Sequence, residues 1–378
     1  MTTSRALGRS VERIGQICRD VHDDKELRRG VLAEIGAVVP FSAYAWPLSD
    51  PESATGISPM ARTPCPVELP ELIRLKYLTP HCRWTRLMAE RRPAMTLLMV
   101  TGGHPERSPL WNGLLNRYGV TDVLSAVFAD KHGCWGWLDL WRDREDGTFS
   151  GTETDYLAAA APLLAAGLRQ SRAAQWRRDT EVGGPGLPAV RKSLPPQAVL
   201  VLDERLALVG QTTSACNWLE LLQRGPRPYE GIPAEVLNVA AQLLARAAGV
   251  DVHPAMSRVP LGDGAWALLR STRLNTGQDR ASPPLAVTIQ ECPAADRLEA
   301  FARSFALTPQ QHRLLGLAAS GLDTAELAAA LQIRPYTVQD QFKAVFTACS
   351  VRSRTALLGM ALGARLISGD AAAGAGGL

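Results

Sequence analysis

The side chains with the widest chemical reach in this sequence are its seven cysteines, Cys18, Cys65, Cys82, Cys134, Cys216, Cys292 and Cys349, and their spacing removes most of that reach. The number is odd and no two lie close enough to form a CxxC or similar ligand pair, so neither a zinc site nor a disulfide framework is expected. His132-Gly133-Cys134 joins two side chains that can ligate iron. No partner ligand is recognisable, and a turn explains the triplet better, with His132 as a solvated turn residue and Cys134 as a small strand hydrophobe. Asp23-Asp24 are adjacent acids, but they sit between two helical patterns where capping accounts for them. No Ser/His/Asp set, glycine-rich phosphate loop or carboxylate dyad with supporting context appears, so no enzyme and no cofactor is expected.

Near the C-terminal end, polar side chains of a different kind gather around Pro335. Arg334 precedes it, and Tyr336, Thr337, Gln339, Asp340 and Lys343 follow, with Arg352 and Arg354 a short distance on. On a helix, Gln339 and Lys343 are four apart and share a face, while Thr337 lies near the helix N-terminus, where the dipole favours negative charge. Glutamine can pair bidentately with adenine, and lysine most often meets phosphate. The bland reading of Gln339 is a solvated polar residue. The segment from Glu299 to Leu366 holds seven Lys/Arg against four Asp/Glu, a local surplus of three in a chain of net charge +4. That is a basic end, not by itself a sign of nucleic acid.

The elements that would position these residues are unusually well punctuated. Thr308 is a helix cap, Pro309 suits the first helical position and Gln311 closes a capping box. That helix buries Leu314, Leu315, Leu317 and Ala318 and meets Gly321, a natural left-handed terminator. Asp323 and Glu326 form another box, opening a short helix with Leu327, Ala328 and Leu331. A turn, Gln332-Ile333-Arg334, leads to Pro335 and a third helix through Phe342, Val345 and Phe346, ending near Cys349. Ser353 caps a fourth, carrying Leu357, Leu358 and Leu362. A short helix, a tight turn and a longer helix braced by two others is the helix-turn-helix layout, which needs small residues such as Ala328 and Ala329 where the helices cross.

Ahead of it, 378 residues at 46% hydrophobic and 21% charged call for two or three domains. Leu7, Val11, Ile14, Cys18 and Val21 form the seam of one helix, and Asp23 with Glu26 opens a second through Leu27, Val31, Leu32 and Ile35. Pro47 to Pro70 reads as a strand and a long loop. Val123–Asp130 and Cys134–Trp141 flank Lys131-His132-Gly133 as a β-hairpin. Its second strand puts Trp135, Trp137, Asp139 and Trp141 on one face and Cys134, Gly136, Leu138 and Leu140 on the other, so both faces are largely apolar. Either the sheet is buried on both sides, or one side meets a ligand or partner; helix-to-sheet packing is the commoner cause of such a tryptophan stripe. Thr152 and Asp155 cap a long helix through Leu168, ending in the basic run at Arg177 and Arg178. Gly183 to Pro196 has linker composition. After it come a hairpin, Ala198–Asp203 with Leu206–Gln211, a helix carrying Trp218, a helix from Pro233 to Ala248, and strands at Gly264–Ser271 and Pro284–Glu291.

The run from Leu307 to Leu358 resembles the C-terminal DNA-binding domain of LuxR-type bacterial transcription regulators. Leu307, Thr308, Pro309, Gly321, Leu322, Glu326, Ala328, Leu331, Thr337, Val338, Val351, Arg352, Ser353 and Arg354 carry the match. Departures fall on polar positions: Gln310-Gln311 replace the usual Arg-Glu pair, Gln339 a Lys, Gln341 a His and Ala348 a Lys. Each removes charge, which predicts weaker and less salt-sensitive DNA binding than the family norm. More faintly, the sequence around Leu27–Leu48 with Asp130–Arg142 is similar to GAF-type sensory domains, and Ala198–Leu219 to the opening of a PAS-type domain.

The resemblance implies a multidomain fold: a GAF-like α+β domain with N-terminal helices (1–180), a linker (181–196), a PAS-like α+β domain (197–293), an all-α four-helix helix-turn-helix domain (299–366) and a tail (367–378). It implies a one-component transcription regulator that binds double-stranded promoter DNA as a homodimer, through half-sites about 34–36 Å apart, with the fourth helix in the dimer contact. RNA polymerase and an unknown small-molecule effector are the further partners implied. Arg334, Tyr336, Thr337, Gln339, Asp340, Lys343, Arg352 and Arg354 are the implied DNA-contacting residues. The competing reading is a ligand- or protein-binding sensory scaffold whose last domain does not touch DNA. The longest nearly uncharged stretch, Tyr156 to Leu168, is far short of the roughly 20 apolar residues of a membrane span. Met1 to Arg13 lacks a secretory h-region, and a cytoplasmic location is expected.

Overall fold

The computed structural model describes residues 2–181, 193–223, 231–275 and 283–363. Most of the expected linker and the whole expected tail lie outside the described residues. The chain divides into two compact units. The first gathers residues 1–168, 195–259 and 268–290, and the second residues 169–194, 260–267 and 291–378.

In the first unit, α1 (Thr2–Asp20) buries Leu7, Ile14 and Cys18, the seam its spacing predicts. Asp23 caps α2 (Asp24–Gly36) by accepting from the N–H groups of Lys25 and Glu26. β1 (Ala43–Ser49) and β2 (Gly56–Arg62) then pair antiparallel. Two strands thus occupy part of the stretch read as one strand and a loop, because prolines obscured them. Pro59 can stand in β2 since β2 is an edge strand, and Pro47 sits where the register shifts between Trp46 and Leu48.

Short helices α3 (Leu69–Leu78) and α4 (Trp84–Ala89) lead to β3 (Ala94–Thr96), α5 (Leu97–Thr101) and α6 (Pro109–Gly113). The expected hairpin is β4 (Asp122–Asp130) with β5 (Gly133–Arg142). Gly133 has φ 143°, and a Cβ there would come 2.2 Å from the Pro51 carbonyl oxygen, so only glycine fits. α7 (Gly151–Glu181) begins earlier than Thr152 and Asp155 suggest: Ser150 and Glu153 exchange the capping bonds, the same i,i+3 pattern two residues upstream.

The first sheet has the order β2-β1-β5-β4-β3, and both faces of β5 are covered. On one, Trp137 stacks on Trp84 of α4 at 3.8 Å and Trp141 packs with Leu72, Leu75, Leu110 and Leu114. On the other, Gly136 lies against Leu168 of α7, where a Cβ would stand 3.7 Å from its methyl. The tryptophans are core residues, 3%, 4% and 1% exposed at Trp135, Trp137 and Trp141.

The second sheet, of order β7-β6-β10-β9-β8, is built from β6 (Ala198–Leu202), β7 (Leu208–Gln211), β8 (Met256–Gly262), β9 (Ala265–Arg273) and β10 (Leu285–Glu291), with α8 (Ala215–Leu222) and α9 (Ala234–Ala247) between β7 and β8. β10 pairs antiparallel with β6, placing Val287 opposite Leu200. α9 is buried nearly all round and packs on α3 and β2 of the first sheet's block. Asn238 donates to the Gly56 carbonyl at 2.9 Å, and Glu235 accepts the Ser58 N–H at 2.9 Å. In unit 1 the two α+β blocks therefore share polar as well as apolar contacts.

The second unit is largely helical: α10 (Ala294–Ser304), α11 (Pro309–Ala319), α12 (Thr324–Leu331), α13 (Pro335–Cys349) and α14 (Arg354–Leu362). Both capping boxes, Thr308 with Gln311 and Asp323 with Glu326, are formed, and Ser353 accepts the Ala356 N–H. No described helix is long and apolar enough to cross a membrane.

Candidate nucleic-acid interface

α13 is positioned from its buried side. Val338, Phe342, Val345 and Cys349, at spacings of four, three and four, face the packed interior. Gln332 ends α12 in the left-handed conformation at φ 55°, and the Ile333 N–H donates to the Ala328 carbonyl at 3.0 Å, closing the turn. Ala328 is 5% exposed on the inner side of α12, whereas Ala329, expected beside it at the crossing with α13, is exposed and takes no part in it. At the other end, Arg177 donates to the Ala348 carbonyl at 3.1 Å and to Cys349 at 3.4 Å, putting a cation at the helix C-terminus, where the dipole favours it.

The opposite face is the exposed one. Tyr336 is 60% exposed, and Gln339, Asp340, Lys343 and Thr347 are exposed along the same side. Arg334 occupies the N-cap with φ −78° and ψ 151°, the extended backbone that Pro335 imposes, and its side chain makes no capping bond. Thr337, the third residue of α13 and still within its first turn, is half-buried. Lys343 Nζ lies 3.1 Å from Asp340 Oδ1, a surface ion pair. The fold thus brings Tyr336, Gln339, Asp340 and Lys343 onto one outward face of α13, with Arg334 exposed at its N-cap, away from that face.

The two arginines beyond α13 part company. Arg352 is exposed, whereas Arg354 turns inward, donating to the Ala318 carbonyl at 3.0 Å and to Leu322 at 2.5 Å, with its guanidinium 5.7 Å over the Phe342 ring. Of the α14 leucines expected at a dimer contact, Leu357 and Leu362 are buried within the unit, and Leu358 alone of the three is half-buried.

Sequence reasoning missed the polar groups buried in each unit. In unit 2, Arg297 donates to the Gly264 carbonyl at 2.8 Å and lies 5.1 Å from the Trp176 ring, itself stacked on Trp266 at 4.5 Å. In unit 1, Lys76 meets Asp139 at 2.8 Å, and Ser125 donates to the same carboxylate oxygen at 2.5 Å. Arg83 meets Asp251 at 2.6 Å, and Gln242 accepts from the same guanidinium at 2.8 Å. Burial works against the Asp251 charge, but bonds from His253 and Arg83 hold its carboxyl well below the usual range. The Asp139 signal was present in the sequence: an acid on a tryptophan face of a strand apolar on both sides requires a buried cation. These clusters are internally hydrogen-bonded braces.

Six of the seven cysteines are buried, and Cys216 alone is exposed. Burial pushes the thiols of Cys65, Cys82 and Cys349 up to about 12, and that of Cys134 to about 11. No group of three or more metal-ligating side chains occurs among the described residues. No protein-family model matches the sequence, and neither does any curated protein.

Proposed function

We propose that this chain is a one-component, sequence-specific DNA-binding regulator of transcription. On this reading α12, its turn and α13 act as a LuxR-type helix-turn-helix, with α13 entering the major groove of promoter DNA. The observation that carries it is the two-sided character of α13: an apolar face locked into the unit, and an outward row of Tyr336, Gln339, Asp340 and Lys343, with Arg334 exposed at the N-cap. Amide and ammonium groups on one side of a helix of this length, with a guanidinium at its N-cap, are groups that phosphate and base-edge contacts use. Arg352 adds an exposed cation for the backbone.

The two five-stranded antiparallel sheets with their flanking helices support GAF-like and PAS-like blocks as the signal-receiving or dimerising part. Their partners would be a second copy of the chain and an effector, with RNA polymerase as a further contact. Fold alone assigns no ligand.

Selection of genomic fragments by the purified full chain, at low and at physiological salt, tests the reading. Enrichment of sequences containing two related half-sites one helical turn apart is expected. Enrichment of no sequence at either salt would overturn it, in favour of a sensory scaffold whose last unit does not contact DNA.

A further inference from the structure

We infer that Asp340 selects cytosine at one position of each half-site, held in place by Lys343; the inference rests on the DNA-binding reading above. Asp340 is the one acidic residue of α13, and it lies on the exposed row with Tyr336 four residues before it and Lys343 three after. Nothing in the helix itself calls for a carboxylate there. Aspartate is a poor former of helix interiors, and position 340 lies beyond the first turn, where the dipole would favour it. Its ion pair with Lys343 joins side chains 63% and 74% exposed, a setting in which such pairs contribute little stability.

Against DNA the same carboxylate has a sharp consequence. It only accepts hydrogen bonds, and it stands on the face that would approach a polyanion. The major groove offers it donors at two places, cytosine N4 and adenine N6. Guanine O6 and N7 and thymine O4 are acceptors and repel it. Adenine carries the N7 acceptor beside its N6 donor, which opposes the second carboxylate oxygen, whereas cytosine carries no acceptor next to N4 on that edge. Lys343 Nζ engages Oδ1 at 3.1 Å and leaves Oδ2 to the base. Lys343 is thus a positioning residue, and its charge offsets the approach of Asp340 to the phosphates.

The test is selection from a randomised duplex pool by the full chain and by Asp340→Asn, Asp340→Ala, Lys343→Met and Lys343→Arg variants, with thermal unfolding as the folding control. The unsubstituted chain should favour cytosine at one half-site position by roughly 5- to 150-fold over guanine or thymine. Asp340→Asn should move that position to adenine, because asparagine pairs bidentately with N6 and N7. Asp340→Ala should flatten that position, keep the others, and strengthen binding to unrelated duplexes by removing a negative charge. Lys343→Met should weaken the cytosine preference, and Lys343→Arg should restore it. If the chain and its Asp340 variants select the same base at every position, this inference falls while DNA binding stands. If none of the proteins enriches any sequence even at low salt, the functional reading falls, and this inference with it.

Discussion

Arg258 grips Asp50 along one edge of its guanidinium, with Nε 2.7 Å from Oδ2 and Nη2 2.8 Å from Oδ1, while its backbone N–H adds a third bond to Oδ2 at 3.0 Å. The two side chains are 1% and 0% exposed, and 208 positions of sequence separate them. Burial alone would favour the neutral acid, but the attraction and hydrogen bonds of Arg258 outweigh it and hold the Asp50 carboxyl at about 2. Such a fork between the first α+β block and the second fixes their register in unit 1.

The pH dependence follows from the sign of that shift. The folded pKa lies below the value of about 3.9 in an unfolded chain, so the contribution is complete above pH ~4 and is lost as pH falls toward 2. Asp50→Asn should cost up to about 3–5 kcal/mol at neutral pH, because Arg258 loses its bidentate partner and keeps Glu52, 2.7 Å from Nη2, as a counter-charge. Thermal unfolding followed from pH 6 to 2 should show a flatter acid limb in the variant. Replacing both residues, Asp50→Leu with Arg258→Met, should be less damaging than Asp50→Asn alone. A double variant as unstable as the single one would show that the pair contributes more than compensation of its own desolvation.

Arg352 and Arg354 should separate cleanly by experiment. Arg354 spends Nη2 on the carbonyls of Ala318 and Leu322, so Arg354→Ala should lower stability by roughly 1–3 kcal/mol. Arg352→Ala should leave stability within about 0.5 kcal/mol. On the proposed reading it weakens binding to all duplexes alike and lowers the salt slope by about one per subunit. Unfolding curves and a salt titration of each variant check both halves, and an unchanged slope for Arg352→Ala would remove it from the interface.

The contrast between those arginines also shows where sequence stops being legible. Two residues apart and alike in charge, they are told apart only by α11, whose C-terminal carbonyls receive Arg354. Local chemistry was readable: the boxes at Thr308 and Asp323, the cap at Ser353 and the bounds of α13 all depend on residues within four positions of one another. The pairing of Arg83 with Asp251 joins residues 168 positions apart and leaves no periodicity to detect. β2 was hidden by Pro59, which argues against a strand unless one knows that the strand is an edge. For the candidate site, the exposed row on α13 could be read from the heptad-like spacing of its buried side, but the inward turn of Arg354 could not.

Arg334 stands where a serine would cap α13, and its side chain accepts none of the free N–H groups. Arg334→Ser should therefore stabilise the fold by about 1 kcal/mol. If the guanidinium meets a phosphate, as proposed, the same change weakens DNA binding. Melting temperature and affinity are expected to move in opposite directions, and a variant in which both rise would show that Arg334 is not a DNA contact.

Gln339 is exposed on α13 beside Asp340, at the fifth helical position, close enough to the N-terminus to reach a base edge if that end enters the groove. An amide can donate to adenine N7 and accept from N6 in one plane, so a base-reading glutamine contributes only where that adenine is present. A merely solvated glutamine contributes nothing on any sequence. Gln339→Ala should thus cost roughly 1–3 kcal/mol of binding on the selected operator and much less on a scrambled duplex of the same length, with the salt slope unchanged because no charge is removed. Titrating the variant against both duplexes across a salt series measures the two quantities together. Equal losses on operator and scrambled DNA would end its assignment as a base reader and leave sequence discrimination to Asp340 and its neighbours.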